Sequence, residues 1–269
     1  MIEFRDVSFA YDKHQVVESV SFSIEKGEFV TLIGANGSGK STIACLTNGL
    51  LLPFEGKVSV DGVSTDDISL GRTIKRKVGL VFQNPDNQFI GMTVEEDLAF
   101  GLENENIERD EAMVRIASVA ELLGIEHCLS SPPYLLSGGE KQKVAIASVL
   151  VLMPDYIVLD EVTSLLDPFG RKEILSIVKD LAGNQGKGVL FITHNTEEIV
   201  DSDDVLVVSN GKIVLHGGVK EVFADVDFLQ SIGISIPPDV YVASILKKKH
   251  LVGESVFFEK EILDAICLK

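Results

Sequence analysis

Eight consecutive residues constrain this chain more than any other stretch. Gly34-Ala35-Asn36-Gly37-Ser38-Gly39-Lys40-Ser41 fills every fixed position of G-x-x-x-x-G-K-[ST]. Glycines let the backbone turn tightly enough for successive N–H groups to face phosphate oxygens. A helix starting near Lys40 adds unpaired N–H groups and a positive dipole end. The motif needs a strand before it and a helix after it. The apolar run Val30–Ile33 and the helical pattern of Lys40–Leu51 supply both. The plainer alternative is a glycine-rich strand–helix turn that happens to carry a lysine.

The rest of the pattern is α/β. Ile2–Phe9, Val20–Ile24, Val30–Ile33 and Lys57–Val60 read as strands, and Val78–Phe82, Tyr156–Leu159 and Val189–Thr193 as buried ones. Continuous apolar runs of that length belong to a parallel sheet covered on both faces. Val94–Leu102, Arg109–Leu123 and Gly139–Met153 carry helical periodicity. Strand and helix alternate to about Ile213, and short helical pieces follow from Val219, interrupted at Pro237-Pro238. Lys247-Lys248-Lys249-His250 is the only basic run in that tail.

Composition closes several classes. The 269 residues hold 24 basic and 41 acidic side chains, a net charge of −17, which disfavours a phosphate-backbone tracker and so argues for no nucleic acid partner. At 45% hydrophobic the chain can bury a sizeable core, against disorder. Cys45, Cys128 and Cys267 form neither a disulfide framework nor a zinc spacing. The N-terminus shows no signal-peptide pattern. The apolar run Val144–Met153 stops at Pro154, short of the roughly 18 residues a membrane span needs.

Two further clusters carry chemistry. Asp160 and Glu161 end a buried strand, where open α/β sheets bind ligands. Asp160 would hold Mg²⁺, and Glu161, pointing to the opposite face, would orient or deprotonate a water. An acidic pair after a strand is also a common helix N-terminal feature. Leu136-Ser137-Gly138-Gly139-Glu140-Lys141-Gln142 precedes a helix. Ser137 and Glu140 spell a capping box, and the two glycines and a hydroxyl equally spell a second anion site, which two copies arranged head to tail would lend each other. Both readings stand.

LSGGEKQ between the phosphate loop and the acidic strand resembles the signature of the ABC-transporter ATPase family, over roughly residues 1–218. The resemblance implies a P-loop NTPase fold: a RecA-like core, an antiparallel β subdomain, an α-helical signature subdomain at about 86–153, and a small extension at 219–269 that helps hold a dimer. It implies ATP and Mg²⁺, with two ATP molecules sandwiched between the phosphate loop of one subunit and Ser137, Gly138 and Gly139 of the other. Within the loop it assigns Gly34 through Ser41 and Thr42 to the phosphates, Lys40 to the β- and γ-phosphates, and Ser41, Gln83 and Asp160 to the metal. Glu161 becomes the catalytic base and His194 the residue beside the γ-phosphate. Tyr11 resembles the adenine-stacking aromatic, although an edge-strand core tyrosine is as common. Gln83 resembles the glutamine that senses the membrane partner, and Asp167 the aspartate that communicates across the dimer. Outside this context Gln83 reads as a polar strand end and His194 as structural. Val162 departs from the usual Pro or Ala after the glutamate.

Phe82-Gln83-Asn84-Pro85-Asp86-Asn87-Gln88-Phe89, Thr93–Gly101, Asn48-Gly49-Leu50 and the tail from Gly233 are similar to the energy-coupling-factor ATPases, a group that includes cobalt and nickel uptake ATPases. That resemblance implies an ATPase at the cytoplasmic face of the cell membrane, with three partners. These are a second ATPase subunit (a copy or a paralogue), a transmembrane coupling subunit and a substrate-binding membrane protein. The cargo would be a vitamin or a transition-metal ion. The alternatives are another ABC transporter type or a soluble ABC ATPase. Ribosome-acting members carry two cassettes and DNA-tethering members a coiled-coil insertion, and this chain shows one cassette and no such insertion.

Overall fold

The computed structural model describes residues 1–267. Among the described residues, ten strands form two sheets. β1 (Ile2–Tyr11), β2 (His14–Ile24), β4 (Glu55–Val60) and β5 (Val63–Ser64) make an antiparallel sheet in the order β2-β1-β4-β5. β3 (Phe29–Gly34), β6 (Val78–Val81), β7 (Tyr156–Asp160), β8 (Gly188–Thr193), β9 (Asp204–Ser209) and β10 (Lys212–Gly217) make the second, in the order β10-β9-β3-β8-β7-β6. Five of its strands are parallel, and only β10 runs antiparallel, at the edge.

Side-chain alternation explains why the central strands read as unbroken apolar runs. Val158, Leu190 and Ile192 face the antiparallel sheet and α1 (Lys40–Thr47), together with Ile43 and Leu46. Ile157, Leu159, Val189 and Phe191 face the opposite layer. That layer holds α3 (Val94–Asn104), α4 (Arg109–Leu123), α5 (Gly138–Leu150) and α6 (Pro168–Gly183). The short α2 (Gly71–Lys77) leads into β6. Both faces are therefore buried, as parallel sheets require. Phe4 stacked on Phe22, 4.4 Å between centroids, anchors the antiparallel sheet.

The C-terminal segment comprises α7 (Val219–Val222), α8 (Val226–Ser231), α9 (Pro238–Lys248) and α10 (Glu259–Cys267). Val222, Phe223, Leu229 and Ile234 share one apolar cluster with Ile33, Val205 and Val207 of the parallel sheet. The basic run is absorbed locally, with Lys247 over the Phe257 ring and Lys248 on Asp227 at 2.8 Å.

Several boundaries differ from the sequence expectation. The first helix ends at Thr47 rather than Leu51, because Gly49 turns left-handed (φ 71°) and Leu50 and Leu51 both donate back to the Cys45 carbonyl. β2 starts at His14 rather than Val20. Its pairing with β1 is bulged around Asp6 and Ser19, which breaks the period-2 pattern that would have marked it. α5 ends at Leu150 rather than Met153. Residues 204–217 form a hairpin closed at Asn210-Gly211, both at positive φ, instead of continuing the strand–helix alternation.

That hairpin turn braces the phosphate loop, since Gly211 N–H donates to Ser38 O at 3.0 Å and Gly211 O accepts from Glu18 N–H at 2.9 Å. Gly211 has φ 77°, and a Cβ there would stand 2.4 Å from Val16 O. Gly211→Ala is expected to lose about 2 kcal/mol or more of stability, read as a lowered urea midpoint.

Candidate active site

The parallel register brings the strand ends level. Ile33 pairs with Thr193, Asp160 with Ile192, and Val81 with Leu159. The residues that follow these strands therefore meet at one rim. They enclose a cleft of about 430 Å³ whose walls include Asn36, Lys40, Ser41, Gln83, Glu161 and His194, with Gly37, Gly39 and Thr42 from the loop.

The loop depends on glycine at three points. Gly37 and Gly39 have φ 78° and 107°, and a Cβ on Gly39 would stand 2.8 Å from Val16 O. A Cβ on Gly34 would stand 2.4 Å from Val208 O. The loop's curve brings the Lys40 ammonium, only 5% exposed, back onto Gly34 O at 3.0 Å and Ala35 O at 3.2 Å.

Glu161 joins the other groups. Its Oε1 lies 3.3 Å from Lys40 Nζ, and its Oε2 accepts from Gln83 Nε2 at 3.0 Å and faces His194 Nδ1 at 3.2 Å. Its backbone is left-handed, φ 49°, a conformation costing a side-chain-bearing residue roughly 1–3 kcal/mol. Glu161 N–H donates to Ile192 O and its carbonyl accepts from Ser164 N–H, which hold that turn in place. Val162 follows it, fully buried in the helical layer's core.

Asp160 is 4% exposed, and one of its carboxylate oxygens, Oδ1, has no hydrogen-bond partner. Burial pushes its carboxyl pKa up, and the Ser41 hydroxyl opposes that shift. A buried unpaired carboxylate oxygen, a hydroxyl and the Gln83 amide form an all-oxygen donor set with charge to neutralise. These residues fit a hard divalent cation.

Other expected residues stand apart from the cleft. Tyr11 ends β1, half exposed and edge-on to Phe9. Ser137 caps α5 in a full capping box: Glu140 N–H donates to Ser137 Oγ, and Ser137 N–H and Oγ donate to Glu140 Oε2 at 2.9 and 2.6 Å. Gly138 and Gly139 begin that helix. Asp167 caps α6, accepting from Gly170 N–H at 2.8 Å. A larger cleft of about 700 Å³, near Val114, Met153 and Gln185, is lined by none of the phosphate-loop residues and by neither Glu161 nor His194.

Two contributors escaped the sequence reading. Val16, on β2, lines the cleft. Glu198, 4% exposed, accepts from Thr163 Oγ1 at 3.0 Å and Thr193 Oγ1 at 2.6 Å and pairs with Arg171 at 3.1 Å. It thereby ties the loops carrying Glu161 and His194 together. Nothing in the run Asn195-Thr196-Glu197-Glu198 distinguishes it from a solvated acidic turn. Glu198→Ala would leave the buried hydroxyls without their acceptor and Arg171 without its ion pair. The expected loss is about 2–4 kcal/mol in denaturant unfolding, with a smaller loss for Glu198→Gln.

Comparison with known proteins places this geometry. The ABC transporter family profile matches residues 17–164. The chain is 42% identical over 271 residues to the energy-coupling factor transporter ATP-binding protein EcfA1 of Mycoplasmopsis synoviae, covering 99% of this chain and 100% of that one. It is 45% identical to the EcfA1 protein of Mycoplasmoides gallisepticum, over 99% and 95% of the two chains. Among solved structures it resembles cbiO1 of Clostridium perfringens, part of the ABC transporter complex cbiONQ, with a TM-score of 0.78 and 30% identity over 91% and 98% of the chains. It also resembles the cassette MJ0796 bound to ADP and Pi, with a TM-score of 0.75 and 27% identity over 81% and 99%. With the phosphate loop, the acidic strand end and the signature helix all in place, the chain belongs to the ABC transporter ATP-binding family, among the energy-coupling-factor ATPases.

Proposed function

We propose that this chain binds Mg-ATP in the cleft and hydrolyses it to drive an energy-coupling-factor importer of a vitamin or a transition-metal ion. The observation that carries the reading is Glu161, held at 3.0–3.3 Å by Lys40, Gln83 and His194. A carboxylate so placed beside a phosphate loop can take the proton of a water attacking the γ-phosphate as the bond to the β-phosphate oxygen breaks. Lys40 is folded onto its own loop carbonyls and onto Glu161. Transfer of its ammonium to the phosphates frees Glu161 Oε1 for water. His194, half exposed in the cleft wall, would orient the γ-phosphate. Ser41, Asp160 and Gln83 would hold Mg²⁺, which supplies positive charge to the phosphate oxygens when bound.

Ser137, Gly138 and Gly139 lie outside the cleft of their own chain, which favours their use across a head-to-tail dimer with a second ATPase subunit, a copy or a paralogue. Tyr11 and Asp167 act in the same assembly, on adenine and on the partner. Residues 1–218 form the ATPase unit, and 219–269 add a dimer contact. Among the described residues no helix is long and apolar enough to cross a membrane. Attachment to the cytoplasmic face of the membrane then runs through a transmembrane coupling subunit, alongside a substrate-binding membrane protein. Co-expression with candidate membrane subunits and detergent pull-down tests this assembly, and recovery of the chain alone would overturn it.

Glu161→Gln should bind ATP, stay dimeric and hydrolyse at least about 100-fold more slowly in the purified complex. Near-normal turnover would remove Glu161 from its role. Lys40→Ala should weaken nucleotide binding about tenfold or more in calorimetric titration, the loss of one charge-assisted contact to phosphate.

A further inference from the structure

The back of the signature helix carries a second cluster. A 3-10 turn at Glu126–Cys128 presents His127 and Cys128 to the first turn of α5, where Glu140 stands. His127 Nε2 lies 3.1 Å and Cys128 Sγ 3.6 Å from the same oxygen, Glu140 Oε1, and all three ligand atoms fall within 4.8 Å of one another. Tetrahedral zinc, with bonds of about 2.0–2.1 Å to N or O and 2.3 Å to S, separates a nitrogen and an oxygen ligand by about 3.3 Å. It separates a sulfur and an oxygen by about 3.6 Å. The two distances to Glu140 Oε1 already have that spacing, and His127 Nε2 and Cys128 Sγ lie within 4.8 Å of each other.

We propose that His127, Cys128 and Glu140 form a site for a borderline-soft divalent cation such as Zn²⁺. Imidazole, thiolate and carboxylate together suit zinc and not Mg²⁺ or Ca²⁺, which take oxygen ligands. Cys128 is 1% exposed and forms the inner wall, while His127 faces solvent and gives the ion a way in. Glu140 can ligate through Oε1 without leaving the cap, because Ser137 is held by Oε2. Its carboxyl is kept low, at about 2, chiefly by the Ser137 hydroxyl, so it arrives charged. Burial pushes the Cys128 thiol up to about 11, with Glu140 adding to the shift. The nearby Lys143 ammonium opposes it but is paired with Glu173 at 2.7 Å. A cysteine thiol carries its proton at neutral pH, and that proton passes to the buffer when the metal–sulfur bond forms. The bound ion fixes the Glu140 carboxylate, and with it the Ser137 hydroxyl. This last step rests on the proposed use of Ser137 at a partner's phosphate.

The test is titration of the full-length, metal-free chain with Zn²⁺ and with Co²⁺, in excess Mg²⁺ and without nucleotide. One ion per chain is expected, with one proton released per ion and a thiolate-to-cobalt charge-transfer band. Cys128→Ser should abolish the band and, like His127→Ala, weaken binding at least about tenfold. A band that survives in Cys128→Ser, or affinity unchanged in both variants, overturns the site. In the assembled transporter, Zn²⁺ should slow ATP turnover severalfold for the natural chain and not for Cys128→Ser. Binding without slowing overturns the link to Ser137 alone, whereas the ATPase reading itself stands or falls on Glu161→Gln.

Discussion

Parallel strand pairing is the constraint on which the remaining chemistry depends. β3, β6, β7 and β8 run the same way with their carboxyl ends level, so each strand delivers its next residue to one rim. Lys40, Gln83, Glu161 and His194 come from four separate parts of the chain, yet they converge within hydrogen-bond reach of one carboxylate. A slip of one residue in any pairing would turn that strand's side chains to the wrong face and bury its catalytic residue elsewhere. The two apolar layers on either side of the sheet make such a slip costly, because each strand's alternating residues are divided between them.

The acidity of the molecule fits phosphate recognition once the site is seen. A net charge of −17 gives the molecule as a whole no attraction for an anion. The loop meets phosphate through backbone N–H groups, a helix N-terminus and one buried ammonium, whose strength comes from low local dielectric and not from surface potential. Lys40 has a ready partner in Glu161 while it waits, so the buried charge is never unpaired.

Local geometry was the legible part of this sequence. The glycines of 34–39 are demanded by close backbone contacts and positive φ, and such demands leave a residue-by-residue imprint. Arg109–Leu123 was bounded correctly because Gly124 ends it in a left-handed turn with nothing distant involved. Long-range structure was less legible. The bulges that carry β2 back to His14 depend on pairing with β1, and Glu198 becomes a brace only because Thr163 arrives from the loop after β7 and Arg171 from α6. Ser137 and Glu140 were legible as a capping box, and the structure contains one. The chain alone could not say that the same Glu140 would also meet His127 and Cys128, twelve or thirteen residues earlier.

Chain order and spatial order diverge most at the phosphate loop. Gly34 pairs with Val208 of β9, and Gly211 N–H donates to the Ser38 carbonyl. Farther on, Thr196 Oγ1 donates to Ser235 O, and Gly233 packs beside Ala35. During vectorial synthesis the loop thus leaves the ribosome early, yet its outer wall is completed only after about 200 more residues have followed. Pairings this distant must close large loops before they stabilise anything, which slows folding. The segment most easily read from the sequence is therefore among the last to reach its final shape.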